Sequence, residues 1–259
     1  MTAALLQFAV GLIKVFWLLL PAVLLVRLFR SRKFKGWLGE RRVHSALQRQ
    51  FVGPPDCWLF SNLLLPTKDG STQLDHVLIS PQGVFVIETK NMQGMISGSA
   101  QDRDWTQEID GRRRSFQNPL RQNYKHTKTL HELLGIPEQQ IFSVAVFVGS
   151  CSFRAPMPDN VVDLEGLTAF INTRNKRLFS AAQTEIIAKA VQAVRLKDSF
   201  RNRRRHVQHV RAIATARPLS CPLCGGAMVL RKAKKGKTAG LSFWGCAAFP
   251  DCAGTRNVD

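Results

Sequence analysis

Three ionisable side chains on two adjoining apolar runs carry the chemistry of this chain: Asp75, then Glu88 and Lys90, within QLDHVLISPQGVFVIETK between Gln73 and Lys90. The runs flank Ser80-Pro81-Gln82-Gly83, where Pro presets the first turn position and Gly accepts an unusual backbone angle, so the stretch reads as a β-hairpin. A turn closed between Ser80 and Gly83 sets Ile79 opposite Val84, Val77 opposite Val86 and Asp75 opposite Glu88. Period-two alternation then projects Asp75, Glu88 and Lys90 from one face, within a side chain's length of each other. Facing carboxylates repel, and a divalent cation between them relieves the repulsion. An oxygen-lined site that leaves positions for water and phosphate suits Mg²⁺, or Mn²⁺. Lys90 beside that metal could orient or deprotonate a water or stabilise charge on a phosphate in flight. The same charges on a solvated hairpin edge would be ordinary. Val84, Phe85, Val86 and Ile87, however, are apolar on both faces, the pattern of a central strand, where charge is costly unless it serves a site.

A second cluster lies near the end of the chain, where four of the six cysteines stand as Cys221-x-x-Cys224 and Cys246-x5-Cys252. That grouping supplies thiolates for tetrahedral Zn²⁺ and points to a metal staple in a reducing compartment, not to a disulfide frame. Phe243, Trp244 and Phe249 offer stacking surfaces, and Lys232, Lys234, Lys235 and Lys237 could meet phosphates; the competing role for the aromatics is a small core around the metal. Cys57 and Cys151 stand alone and read as buried small hydrophobes.

The elements that must position these groups follow from periodicity. Gly36 to Phe51 reads as a helix with a stripe of Leu38, Val43, Leu47 and Phe51, and Glu40 lies on another face. Cys57 to Leu65 reads as a strand, Gln101 to Arg114 as a surface loop or short hairpin around Trp105, with Arg112, Arg113 and Arg114 able to touch phosphates. Asn118-Pro119 opens a helix, Asn capping and Pro in the first position, with an inward stripe of Leu120, Tyr124, Thr127, Leu130 and Leu134. Gln122 and His126 then fall on another face, His126 as a phosphate contact or an ordinary helical histidine. Ile141 to Val148 is a buried strand, Leu164 to Asn172 a short helix, and Ser180 to Ala216 a long helical pattern ending in Arg201, Arg203, Arg204, Arg205 and Arg211.

An Asp on one strand followed by Glu-x-Lys on the next resembles the PD-(D/E)XK nuclease superfamily. The wider context resembles its nuclease-related (NERD) branch: Gly36-Trp37-Leu38-Gly39-Glu40 opening a helix, Gln73-Leu74-Asp75-His76-Val77, the run from Gly83 to Asn91, and Asn118-Pro119-Leu120-Arg121-Gln122. The resemblance implies that Glu40 is a third carboxylate at the metal and that Gln122 reaches the catalytic Lys90 or the substrate. The tail, CPLCGGAMVLR then FWGCAAFPDCAGTR, resembles the C4 zinc ribbon of bacterial type IA topoisomerases, which implies single-stranded DNA as a partner. The only tyrosine, Tyr124, and everything outside the ribbon lack topoisomerase character.

The expected fold is α/β, a mixed central sheet flanked by helices in the restriction-endonuclease manner, preceded by a transmembrane helix and followed by the ribbon. The boundaries read as 1–30 for the anchor, 31–175 for the nuclease-related unit, 176–217 for a basic connector and 218–259 for the ribbon. A formal charge of +19 over 259 residues implies polyanionic partners, nucleic acid or an anionic membrane face. From Ala3 to Val26 the chain is almost unbroken in its apolar character, interrupted by Lys14 and Pro21, and is long enough to span a bilayer; a signal peptide is the rival reading. Arg27, Arg30, Arg32, Lys33 and Lys35 follow at once, which by the positive-inside bias puts the body in the cytoplasm of a bacterium, on the inner membrane. Two functions stand: a membrane-anchored, Mg²⁺-dependent nuclease cutting DNA phosphodiesters, or a non-catalytic membrane-tethered nucleic-acid-binding protein. A lipid-binding surface scaffold would leave the ribbon and the charged hairpin unexplained.

Overall fold

The computed structural model describes residues 17, 19–21, 23–53, 55–68, 70–197, 199, 202, 204–208, 221–224, 226–233 and 242–257. Helix α1 (Arg32–Phe51) is capped by Ser31, whose Oγ accepts from the Phe34 amide, and buries Gly39, Val43, Ala46 and Leu47. It begins one turn before the expected Gly36 because that cap precedes it. Three antiparallel strands follow, β1 (Trp58–Thr67), β2 (Gly70–Ser80) and β3 (Gly83–Asn91). The β2–β3 turn has the expected register, Val77 with Val86, Ile79 with Val84 and Ser80 with Gly83, and the ladder stops at His76 with Ile87, before Asp75 and Glu88 can pair. Next come β4 (Gly94–Ser97) and a hairpin of β5 (Asp104–Ile109) and β6 (Arg112–Gln117), turned at Asp110 and Gly111 with positive φ at both, as a two-residue hairpin demands.

Helix α2 (Pro119–Leu134) leads to β7 (Ile141–Val148), β8 (Cys151–Phe153), β9 (Val161–Val162), α3 (Leu164–Asn172) and α4 (Ala181–Val194). One sheet has the order β1-β2-β3-β7-β9 and is mixed, since β3, β7 and β9 run parallel; a second has the order β6-β5-β4-β8. The two sheets share a parallel pair of chains. β3 and β7 lie side by side, both break, and both resume side by side as β4 and β8, with the Met92 amide on the Val148 carbonyl and the Gly94 amide on the Ser150 carbonyl across the break. Gly94 and Gly149 make the two bends at φ +76° and +113°, and a Cβ on Gly149 would sit 2.3 Å from the Met92 oxygen.

β3 is covered on both faces. Val84 and Val86 join Leu65, Leu74 and Val77 against Leu130 of α2 and Val191 of α4, while Phe85 and Ile87 join Val43 and Leu47 of α1 and Leu167 of α3. That two-sided burial is what its unbroken apolar run requires.

Several expectations are corrected. No helix among the described residues is long and apolar enough to cross a membrane, so the expected transmembrane helix and the single-pass inner-membrane location are not supported. Of the apolar stretch from Ala3 to Val26, residues 1–16, 18 and 22 lie outside the described residues, Lys14 among them. α2 is turned about its axis relative to the expected stripe: Pro119, Asn123, His126 and Leu130 face inward, and Tyr124 is exposed. The long helix from Ser180 ends at Val194, where Arg195 is extended and the Leu196 amide docks on the Leu64 carbonyl. Arg204 and Arg205 are helical, whereas Arg201, Arg203 and Arg211 lie outside the described residues.

The tail forms an antiparallel sheet of β10 (Met228–Lys232), β11 (Ser242–Cys246) and β12 (Thr255–Asn257).

Candidate active site

Glu88 and Lys90 emerge from the end of β3, where the strand leaves its antiparallel partner but still pairs with β7. Glu88 is buried, and Lys90 donates from Nζ to Glu88 Oε1 at 2.6 Å and to Gln122 Oε1 at 3.0 Å. An ammonium has three N–H donors. Two are used within the protein, and one remains for a water or phosphate oxygen.

Gln122 reaches Lys90 because α2 is fixed at two points. Asn118 caps it, accepting from the Leu120 amide through Oδ1, while its Nδ2 meets the carbonyls of Ser99, Ala100 and Asp102. Asn123, fully buried, sends Nδ2 to the carbonyls of Val86 at 2.8 Å and Val144 at 3.1 Å, locking the helix onto β3 and β7. The other oxygen of Glu88 faces His126 Nε2 at 3.5 Å, and His126 Nδ1 is held by Thr72 Oγ1 at 3.0 Å. Glu88 Oε2 and His126 Nε2 nevertheless both lack a hydrogen-bond partner among the described residues. The Glu88 carboxyl is held low against its burial, first by Lys90 and then by His126.

Asp75 is not paired with Glu88 through the backbone; its Oδ2 accepts from the Thr89 amide at 2.8 Å, which brings its carboxylate to the same end of β3. Burial, then the charge of Glu88, lifts the Asp75 carboxyl well above the usual range. Glu40 on α1 is raised for the same two reasons, with Lys90 pulling the other way. α1 comes this close because Gly39 has no side chain: a Cβ there would lie 2.8 Å from Asn91 Cβ and 2.9 Å from Val148 Cγ2. The five residues singled out from the sequence, Glu40, Asp75, Glu88, Lys90 and Gln122, therefore gather from four elements into one electrostatic neighbourhood.

Sequence reasoning missed most of the support. His76, buried and pushed down to about 4 by burial and then by His44, is neutral. Its Nε2 meets the Glu40 carbonyl at 3.1 Å and its Nδ1 meets Ser61 Oγ at 2.9 Å, which in turn meets His44 Nδ1 at 2.8 Å. A carbonyl only accepts, so His76 donates from Nε2 and accepts at Nδ1 from Ser61, and Ser61 accepts from His44. The chain of donors has one direction, and it holds the backbone of Glu40. The signal for Asn123 and His126 was the spacing of Pro119, Asn123, His126 and Leu130, an inward stripe whose middle members are polar.

In the tail, Cys221, Cys224, Cys246 and Cys252 bring all four Sγ atoms within 4.8 Å of one another, with 3.6 Å between Cys221 and Cys252 and 3.4 Å between Cys224 and Cys246. Zn–S bonds of about 2.3 Å in a tetrahedron put sulfurs roughly 3.8 Å apart, so the four thiols fit zinc. Among the described residues they are the only group of three or more such side chains that converges in this way. Cys246 joins Trp244 and Met228 in the ribbon core, whereas Phe249 is exposed with the Arg231 guanidinium 5.6 Å from its ring. Phe243 is partly buried and Lys232 exposed; Lys234, Lys235 and Lys237 lie outside the described residues.

Comparison with known proteins agrees with both halves of this arrangement. Residues 35–148 match the nuclease-related domain, and residues 219–259 match the topoisomerase DNA-binding C4 zinc finger. The uncharacterized protein pXO1-01 of Bacillus anthracis is 36% identical over 165 residues, covering 62% of this chain and 74% of the relative.

Proposed function

We propose, from the premise that this chain belongs to the nuclease-related domain family and carries a topoisomerase-type C4 zinc ribbon, that it is a metal-dependent nuclease hydrolysing DNA phosphodiester bonds. In this reading residues 31–175 form the nuclease-related unit, 176–217 a basic connector and 218–259 the ribbon that holds the strand. The observation that carries it is Lys90, bridged to Glu88 and Gln122 with one donor to spare, beside two further carboxylates.

Asp75 and Glu88 would hold Mg²⁺, or Mn²⁺; the underbonded Glu88 Oε2 and the strained charge of Asp75 are what a cation would relieve. Such a metal supplies Lewis-acid stabilisation of a phosphoryl oxygen and a more acidic water. Lys90 aims its remaining N–H at the attacking water or at a phosphate oxygen gaining charge. Gln122 keeps the ammonium on that line, and Glu40 accepts a proton or a hydrogen bond from the water. The four cysteines would hold Zn²⁺, which would staple the ribbon. The test is the zinc-loaded protein on labelled single- and double-stranded DNA with Mg²⁺ or Mn²⁺, beside Asp75→Ala and Lys90→Ala. Metal-dependent cleavage lost in both variants is the expected result; cutting by Lys90→Ala at the parent rate would sink the mechanism.

A second reading, nucleic-acid binding without turnover, is favoured by one observation: Lys90 and His126 already face both oxygens of Glu88. It predicts affinity that falls steeply with salt and survives loss of the carboxylates.

A further inference from the structure

A cleft of about 930 Å³ opens beside Lys90, between the first turns of α1 and the β5–β6 hairpin. Its floor is the double break where β3 and β7 leave the first sheet, from Thr89 to Gln93 and at Gly149 and Ser150. Arg32, Lys35 and Arg42 line the α1 side, Arg114 lines the hairpin side, Lys90 lies on the floor, and no Asp or Glu lines it at all.

The four wall cations differ from their neighbours. Outside the cleft Arg113 and Arg154 share the Glu108 carboxylate at 3.0 and 3.2 Å. Arg32, Lys35, Arg42 and Arg114 have no carboxylate within 4.0 Å among the described residues, and Arg114 is depressed by partial burial and by the charge of Arg32. Cations gathered without counter-charge cost stability through mutual repulsion, and a polyanion threaded between them removes that cost. Between the charges the lining is apolar: Leu38, Met92, Ile109 and Phe116. Charge for a backbone interleaved with apolar surface for bases suits an unpaired strand, whose bases are free to leave the stack.

We infer that this cleft is the track for single-stranded DNA, delivering a phosphate to Lys90 from between α1 and the β5–β6 hairpin. It rests on the nuclease reading for the meaning of its end point, but strand binding in it does not require cleavage. The strand's phosphates pair with Arg32, Lys35, Arg42 and Arg114, residues whose charge otherwise has no local use.

The test is the salt dependence of binding for the zinc-loaded full chain, without added Mg²⁺, on a labelled oligothymidine and on a duplex of the same length. Arg32→Ala/Arg114→Ala removes two phosphate contacts. On the single strand the slope of log affinity against log salt should become shallower by about 1.4, which at 0.1 M salt corresponds to roughly 25-fold weaker binding relative to a 1 M reference. Arg32→Lys/Arg114→Lys should keep the parent slope, which separates lost charge from a damaged fold. An unchanged slope in the alanine variant overturns the track, as does a loss confined to the duplex. Cleavage that fails with Mg²⁺ while this slope still changes would refute the nuclease reading and leave the track standing.

Discussion

Replacing Lys90 by Ala has a structural consequence separable from any catalytic one. Glu88 is 3% exposed and Lys90 20% exposed, and their 2.6 Å contact is the largest influence holding the Glu88 carboxyl low against burial. Breaking a buried ion pair from one side costs about 3–5 kcal/mol, because the other charge stays behind; Lys90's partial exposure argues for about 3. With a urea m-value of about 2 kcal/mol/M, that is a midpoint lower by about 1.5 M. In the parent, a carboxyl held below its unfolded value stabilises the fold above that value and loses this as pH falls. Without Lys90, burial dominates, the carboxyl rises, and the sign reverses: the variant loses stability as pH rises through the raised value. The deficit should therefore be near full size at pH 8 and shrink at pH 5, where Glu88 takes a proton, to the roughly 1 kcal/mol of lost hydrogen bonding. Glu88→Gln/Lys90→Met removes both charges and should return close to the parent midpoint. Urea titrations followed by far-UV circular dichroism at the two pH values decide it. Equal deficits at pH 5 and pH 8, or a double variant no better than Lys90→Ala, would refute the assignment of Glu88 as a buried charge that depends on Lys90.

Asp75→Asn should stabilise the metal-free protein at pH 7, since the Asp75 carboxyl, raised in the folded state, makes the parent lose stability from about pH 4 upward, where the unfolded chain gives up that proton and the folded chain still holds it; thermal melts from pH 4 to 8 should run flatter for the variant. Gln122→Ala should lower kcat about 10–100-fold with KM little changed, and Gln122→Glu, which keeps an acceptor for Lys90, should recover part of the loss. Chelation of zinc, or Cys246→Ser, should release the metal and abolish the chemical-shift dispersion of residues 221–257 in an NMR spectrum; a ribbon whose resonances stay dispersed without metal would contradict the four-thiolate site.

The β2–β3 hairpin was legible because both its turn chemistry and its alternating core residues are local: Ser80 with Gly83, Val77 with Val86. β7 and α3 have the expected bounds for the same reason, an uninterrupted apolar run and a helix-length stripe capped by Asp163. What was not legible depends on contacts distant in the chain. Periodicity assigns polar residues to the outside, which sets His126 off the inward stripe and Tyr124 on it, and says nothing of Asn123; only the Val86 and Val144 carbonyls that Asn123 meets, and Glu88 beside His126, show the true inward face. Glu40 could be named only by resemblance, because its place depends on the clearance at Gly39. Arg32 and Lys35 read as the flank of a membrane span, since nothing in their local sequence reveals that Arg114 faces them.

The paired break beneath the cleft has a mechanical meaning. A hairpin carried on one strand could swivel about a single bond, but here two parallel backbones cross the bend together, joined by amide-to-carbonyl contacts from Met92 to Val148 and from Gly94 to Ser150. Twisting one without the other would tear those contacts, and Trp105 of β5, fully buried, is stacked on Phe147 of β7, so the wall holding Arg114 is braced against the first sheet at the bend and behind it. A strand laid along the cleft would meet a wall whose spacing from α1 is set by the scaffold before it arrives.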